Sequence, residues 1–121
     1  LVPDLLVFKA ETVEKRADEI QKIVDTWFDV VAFVKNHEDE AVAIMAKVVE
    51  QKPEDYKVFL PGTKFFDLEA NKKTFTKSAD DASLYGSGKT IAEFLVGIQQ
   101  LPEVPDYEAA LEPKFIEAAK K

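Results

Sequence analysis

Residues 13–34 read VEKRADEIQKIVDTWFDVVAFV. In this stretch Val13, Ala17, Ile20, Val24, Trp27, Val31 and Val34 recur at intervals of three and four. Side chains at that spacing lie on one side of an α-helix, so the run predicts a helix with a continuous apolar stripe. Ile23, Phe28, Val30 and Phe33 widen the stripe, and the helix is expected at the centre of the core. The pattern allows a break near Ala17–Asp18, with Asp18 able to cap a second segment. Trp27, Phe28 and Phe33 could line an aromatic pocket, but aromatics at helical spacing are more often core. Val24, Trp27 and Val31 are therefore expected to be buried.

Before this helix, Leu5-Leu6-Val7-Phe8 is a short apolar run suited to a buried strand over residues 4–8. Without a charged leader, this opening does not read as a signal peptide. A buried strand needs neighbours for its backbone hydrogen bonds, and the chain offers almost no other strand. The imbalance points to a piece of something larger, or to pairing with another copy.

After the helix, Asn36 is expected to end one segment and cap the next, whose first turn is Glu38-Asp39-Glu40. Ala41, Ile44, Met45, Val48 and Val49 form the next apolar face, and Pro53-Glu54-Asp55 opens a further helix. Pro61-Gly62 marks a turn, with a short extended stretch at Thr63–Asp67 after it. Asp67 or a neighbour is expected to cap a small helix running through Phe75, with a polar loop from Thr76 to Ser83 beyond. Leu84, Ile91, Phe94, Leu95 and Ile98 line another helix. Pro102 and Pro105 punctuate a linker before two last short helices, Asp106–Leu111 and Pro113–Lys121. The fold class predicted is mainly α with one or two short strands. Val7, Ile44, Phe94 and Leu95 join the expected core.

The whole chain has 121 residues and a mass of 13.6 kDa, about one domain. With 46% hydrophobic and 32% charged residues, it is neither collagen-like nor of low complexity. No Cys is present, so disulfides and thiol chemistry are excluded. The 16 basic and 23 acidic side chains give a net charge of −7. Nucleic acid, which selects for a basic footprint, is not an expected partner, and anionic membrane surfaces are disfavoured likewise.

Gly86-Ser87-Gly88-Lys89-Thr90 ends like a phosphate-binding loop. The full pattern requires a Gly at position 83, occupied here by Ser83, and a buried strand leading into the loop, where residues 76–82 are polar. A helix entry is the better reading. His37, the sole histidine, cannot supply a two-His metal motif and is expected on the surface at a helix start. Glu38-Asp39-Glu40 and Asp80-Asp81 lack the alternating ligand spacing of a calcium loop. No cofactor and no catalytic constellation is indicated.

Taken in order, several segments resemble the C-terminal part of the substrate-binding proteins of nitrate, sulfonate and taurine type ABC importers, which have the type II periplasmic binding fold. Pro3-Asp4-Leu5-Leu6-Val7-Phe8 looks like the strand with which such proteins re-enter their first lobe. Val24 to Val31, with Trp27-Phe28, is similar to a characteristic family helix. Residues 36–47, NHEDEAVAIMAK, resemble the Asn-Pro-Glu-Glu-Ala helix start, with His37 in place of Pro. Pro53-Glu54-Asp55-Tyr56 resembles the next helix opening, and Lys64 to Asn71 the Phe-Leu-Asp-Leu-x-x-Asn segment. Leu84 to Leu95 resembles the late Leu-Tyr…Ile-Ala-x-Phe-Leu helix, and Leu111 to Ile116 the terminal Asp-Pro-x-Phe-Val segment, with Glu112 in place of Asp.

The resemblance implies a non-catalytic solute-binding component, of which this chain is the C-terminal portion. It implies a small anion or sulfonate-like solute, an ABC permease as partner, and a periplasmic or lipid-anchored extracytoplasmic location. Pro3 and Asp4, at the implied crossing between lobes, are the ligand-proximal candidates. Two alternatives stay open: a fragment of a same-fold pyrimidine synthase of thiamine biosynthesis, whose cofactor-bearing Lys and donor His would lie in the other lobe, and a stand-alone helical interaction or sensor domain.

Overall fold

The computed structural model describes residues 3–120. Helix α1 (Ala10–Lys15) leads into α2 (Ala17–Asn36), α3 (Glu38–Val48) and the short α4 (Pro53–Lys57). A single 3-10 turn at Leu60–Gly62 precedes α5 (Leu68–Thr74), α6 (Leu84–Gly97), α7 (Tyr107–Ala110) and α8 (Lys114–Ala118). The chain is mainly helical, with no strand among the described residues.

Residues 4–8, expected as a strand, are irregular and form no ladder. No backbone–backbone hydrogen bond involves residues 3–8, and Leu5, Leu6 and Val7 are exposed. The physical reason is the one already stated: an isolated strand has nothing to pair with. Only Phe8 turns inward, against the core.

The main core gathers Ile20 and Val24 of α2, Leu68 of α5, and Phe115, Ile116 and Ala119 at the C-terminal end, with Val13, Ala17, Phe28 and Phe75 packed around them. Gln21 pins α2 to α8, its Nε2 donating to the Phe115 carbonyl at 3.1 Å and to Asp25 Oδ1 at 3.0 Å. Beyond that core α3 folds back against α2 and α4. It buries Ala41, Val42 and Ala46, small residues that allow a close approach. Lys57 of α4 donates to Asp39 at 2.6 Å and sits 3.1 Å from Glu38, so its charge sits beside the acidic first turn of α3. Asp39 is held below the usual carboxylate range by that hydrogen bond and by the lysine's charge.

The joint between α1 and α2 falls at Arg16, one residue before the expected break, and Asp18 lies in the first turn of α2 without capping it. Arg16 leaves helical geometry (φ −130°, ψ 34°) and its Nε donates to Glu19 at 2.8 Å. Between α2 and α3 the reversal is centred on His37, whose exposed ring stacks on Phe33 at 5.0 Å, so Asn36 ends α2 without capping α3. Other boundaries fall as expected. Pro53 opens α4. Asp67 Oδ1 accepts from the Ala70 amide at 2.9 Å as the cap of α5, and Ser83 caps α6.

Helices α3 and α6 both end on a left-handed residue that is not glycine: Glu50 (φ 55°) and Gln99 (φ 58°). In each, the following amide reaches back five residues, Gln51 N to Ala46 O at 2.9 Å and Gln100 N to Leu95 O at 2.8 Å. The left-handed residue itself donates three residues back, to Lys47 and Val96 respectively. These are Schellman ends.

Burial departs most from expectation on the outer helix faces. Val24 and Val31 are buried as expected and Leu95 is half-buried. Trp27, Ile44, Phe94 and Val7 are exposed instead, together with Ile23, Val30, Val48, Ile91 and Ile98. The accessible surface is 9398 Å². A monomer of 13.6 kDa normally exposes about 6,600 Å². The chain thus shows roughly 2,800 Å² more than a molecule closed on itself.

Candidate functional site

Two of the motifs singled out by the sequence, Gly86–Thr90 and Asp80-Asp81, lie at or just before the start of α6. Here the polar loop 76–83 is knotted by its own side chains. Ser83 Oγ donates to the Thr76 carbonyl at 2.7 Å and accepts from the Tyr85 amide at 3.2 Å. Asp80 Oδ1 accepts from the Ala82 amide at 2.8 Å, and Ser78 Oγ from the Asp80 amide at 3.1 Å. Residues 86–90 therefore enter a regular helix directly from a hydrogen-bonded loop, as the helix-entry reading predicts.

The two glycines of this segment are spacers for close packing. A Cβ on Gly86 would lie 2.3 Å from the Asp80 carbonyl oxygen and 2.7 Å from the Ala79 carbonyl carbon. A Cβ on Gly88 would lie 2.6 Å from the Tyr107 ring, whose hydroxyl donates to the Gly88 carbonyl at 2.7 Å. Gly86 thus seats loop 76–83, and Gly88 seats α7. Lys89 is exposed and lies 3.7 Å from Glu93 one turn on, a surface pair worth little in stability.

Two open depressions, of about 450 and 460 Å³, flank Lys77 and Tyr85, which line both. Ser78, Ala79, Gly86, Lys89, Thr90, Glu93 and Glu108 complete the first. Phe75, Ile116 and Glu117 belong to the second. Lys77 pairs with Glu108 of α7, and its ammonium lies 5.8 Å from the Tyr85 ring centroid. Its pKa is raised, first by the hydrogen bond to Glu108, so at neutral pH it stays a cation and not a nucleophilic amine. In the first depression Lys77 and Lys89 each face a carboxylate, Glu108 and Glu93, and the second sets Lys72 and Lys77 beside Glu117. Nothing in the spacing of the sequence announced this cluster, since Lys77 and Glu108 are 31 residues apart and meet only because α7 docks on α6.

Pro3 and Asp4 are exposed ahead of α1 and line neither depression. His37 stands at the α2–α3 joint, remote in sequence from the depressions' lining. Among the described residues no group of three His, Asp or Glu could hold a metal ion, and no buried side-chain polar atom lacks a partner. No described helix is long and apolar enough to cross a membrane. Comparison with protein-family profiles finds no matching family, and comparison with curated proteins and solved structures finds no significantly similar chain.

Proposed function

We propose that this chain is the closing helical part of the solute-binding component of an ABC importer of the nitrate, sulfonate and taurine type. The observation that carries the reading is the coincidence of ordered motifs with helix starts. The Asn36–Lys47 segment spans the α2–α3 joint, Pro53-Glu54-Asp55 opens α4, and Lys64–Asn71 contains the cap and first turn of α5. Leu84–Leu95 fills α6, and Leu111–Ile116 leads into α8. Segments that set helix boundaries constrain a fold more than segments scattered along helices would. The exposed apolar residues on the outer helix faces, such as Trp27, Ile44 and Phe94, support the reading too, because helices that flank a sheet keep an apolar face for it.

On this reading the solute is a small anion or sulfonate held between two lobes, with Pro3 and Asp4 near the crossing; the protein is periplasmic or lipid-anchored on the extracytoplasmic side, and its partner is an ABC permease in the membrane. The chain performs no chemistry. Open depressions fit a minor share in the pocket, since a small-molecule site encloses roughly 70% or more of its ligand. Calorimetry tests this. The two-lobed polypeptide carrying this chain should bind one of nitrate, taurine or a short alkanesulfonate saturably, and the 121-residue chain alone should bind none. Tight binding by the isolated chain, or no binding of any of the three by the two-lobed protein, overturns the proposal.

A further inference from the structure

The two depressions beside Tyr85 differ in how their charges are matched. In the first, each charged side chain already has a partner, Lys77 with Glu108 and Lys89 with Glu93. The second brings together Lys72 and Phe75 at the end of α5, Lys77, Tyr85 of α6, and Ile116 and Glu117 of α8. Among the described residues, neither the Lys72 ammonium nor the Glu117 carboxylate has an ion-pair partner. They do not pair with each other, although both line this depression. Both side chains are exposed, whereas Phe75 and Tyr85 are half-buried and Ile116 is buried. The depression thus has an apolar floor, with an unmatched cation and an unmatched anion on its rim.

We infer that this depression is a binding site for a zwitterion with an apolar side chain, the chemistry of a free hydrophobic amino acid. Small-molecule sites combine a mainly apolar lining with a few polar groups that fix orientation. The volume, about 460 Å³, lies within the range of roughly 300–1,000 Å³ that such sites occupy. An amino acid carries its ammonium and its carboxylate on one carbon. The carboxylate accepts from the Lys72 ammonium and the ammonium donates to the Glu117 carboxylate, so the ligand bridges two charges that do not reach each other. Its side chain covers Phe75, Tyr85 and Ile116. A simple anion fits less well, because it meets Glu117 as a like charge and Lys77 is already held by Glu108. A simple cation meets Lys72 in the same way. The depression is open to solvent, so it encloses the ligand only in part and holds it with a Kd of about 1 mM. This inference does not rest on the solute-binding reading, whose solutes carry no such side chain.

Nuclear magnetic resonance titration of the 121-residue chain with L-phenylalanine tests this. Amide signals of residues 72–77, Tyr85 and residues 116–117 should shift saturably, with a Kd of about 1 mM. Lys72→Gln and Glu117→Gln, both at exposed sites, should leave the fold intact and each weaken binding roughly five-fold, the scale of one exposed charge pair. Phenylpropionate, which lacks the ammonium, and phenethylamine, which lacks the carboxylate, should bind the unaltered chain more weakly by the same factor. With Glu117→Gln in place, phenylalanine and phenylpropionate should bind alike. Taurine, with both charges but no apolar side chain, should give no saturable shift. Absence of saturable shifts up to about 20 mM phenylalanine overturns the inference. So do shifts centred elsewhere on the chain, binding indifferent to either substitution, or taurine or phenylpropionate binding as tightly as phenylalanine.

Discussion

Gly86 and Gly97 lie on the same helix, yet a methyl group added to each meets opposite surroundings. At Gly86 it meets backbone atoms of Ala79 and Asp80, which cannot swing aside, and at Gly97 it meets nothing within 4 Å. Gly86→Ala should therefore lower stability by about 1–2 kcal/mol, overpacking outweighing the helix-propensity gain. Gly97→Ala should raise it, by up to about 1 kcal/mol. Urea denaturation of both variants checks the sign, and a stabilised Gly86→Ala would remove the packing account of the glycine-rich segment. The same measurement separates inner from outer apolar residues. Ile20→Ala, at a site 2% exposed, should cost about 2–5 kcal/mol. Val48→Ala, at a site 78% exposed, should stay within about 0.5 kcal/mol. Residue type alone does not distinguish these two sites. A three-and-four period shows which side chains share a helix face, but not whether another element arrives to cover it. That is why Val24 and Val31 were legible as core and Trp27, Ile44 and Phe94 were not.

Helix ends were more legible than helix faces, because they are set by local chemistry. Asp67, Ser83 and Pro53 mark their helices through hydrogen bonds or torsions confined to one turn. The exceptions are joints without a side-chain cap, at Arg16 and His37, where backbone torsions alone make the break. The Schellman ends at Glu50 and Gln99 were equally hidden, since their left-handed positions carry side chains instead of the usual glycine. An L-residue held there costs on the order of 1 kcal/mol. Glu50→Gly and Gln99→Gly should each stabilise the chain by about 0.5–1 kcal/mol and raise its melting temperature. A loss of stability in either would mean that the side chain makes a contribution larger than the torsional cost. The candidate site follows the same division. That residues 86–90 open a helix was readable from Ser83 at position 83 and the polar stretch before it. The Lys77–Tyr85–Glu108 cluster was not, because it depends on where α7 docks.

Across the whole molecule, packing is unevenly shared. Helices α1, α2, α5 and α8 meet in one apolar cluster, while α3 packs on α2 and α4 on α3. Helix α6 packs principally on the four-residue α7, joined to the rest through the polar loop 76–83 and the linker around Pro102 and Pro105. Its fully buried residues are small, Gly86 and Ala92; Leu84, Tyr85, Leu95 and Val96 are half-buried, and Ile91, Phe94 and the C-cap Ile98 face outward. Little apolar area therefore resists separation of α6 and α7 from the cluster. Amide exchange converts this into opening rates. Segments with few buried contacts exchange through partial openings, below the free energy of global unfolding. In native-state exchange, the amides of residues 88–97 should lose their protons well before those of Ile20 to Val31, with a weaker dependence on added denaturant. Equal protection of the two helices would mean that the chain opens as one unit. If α6 leads, the glycine-rich entry, where Gly86 sits against the backbone of Ala79 and Asp80, is the hinge of the least stable part of the molecule, and Tyr107, anchored on Gly88, makes α7 travel with it.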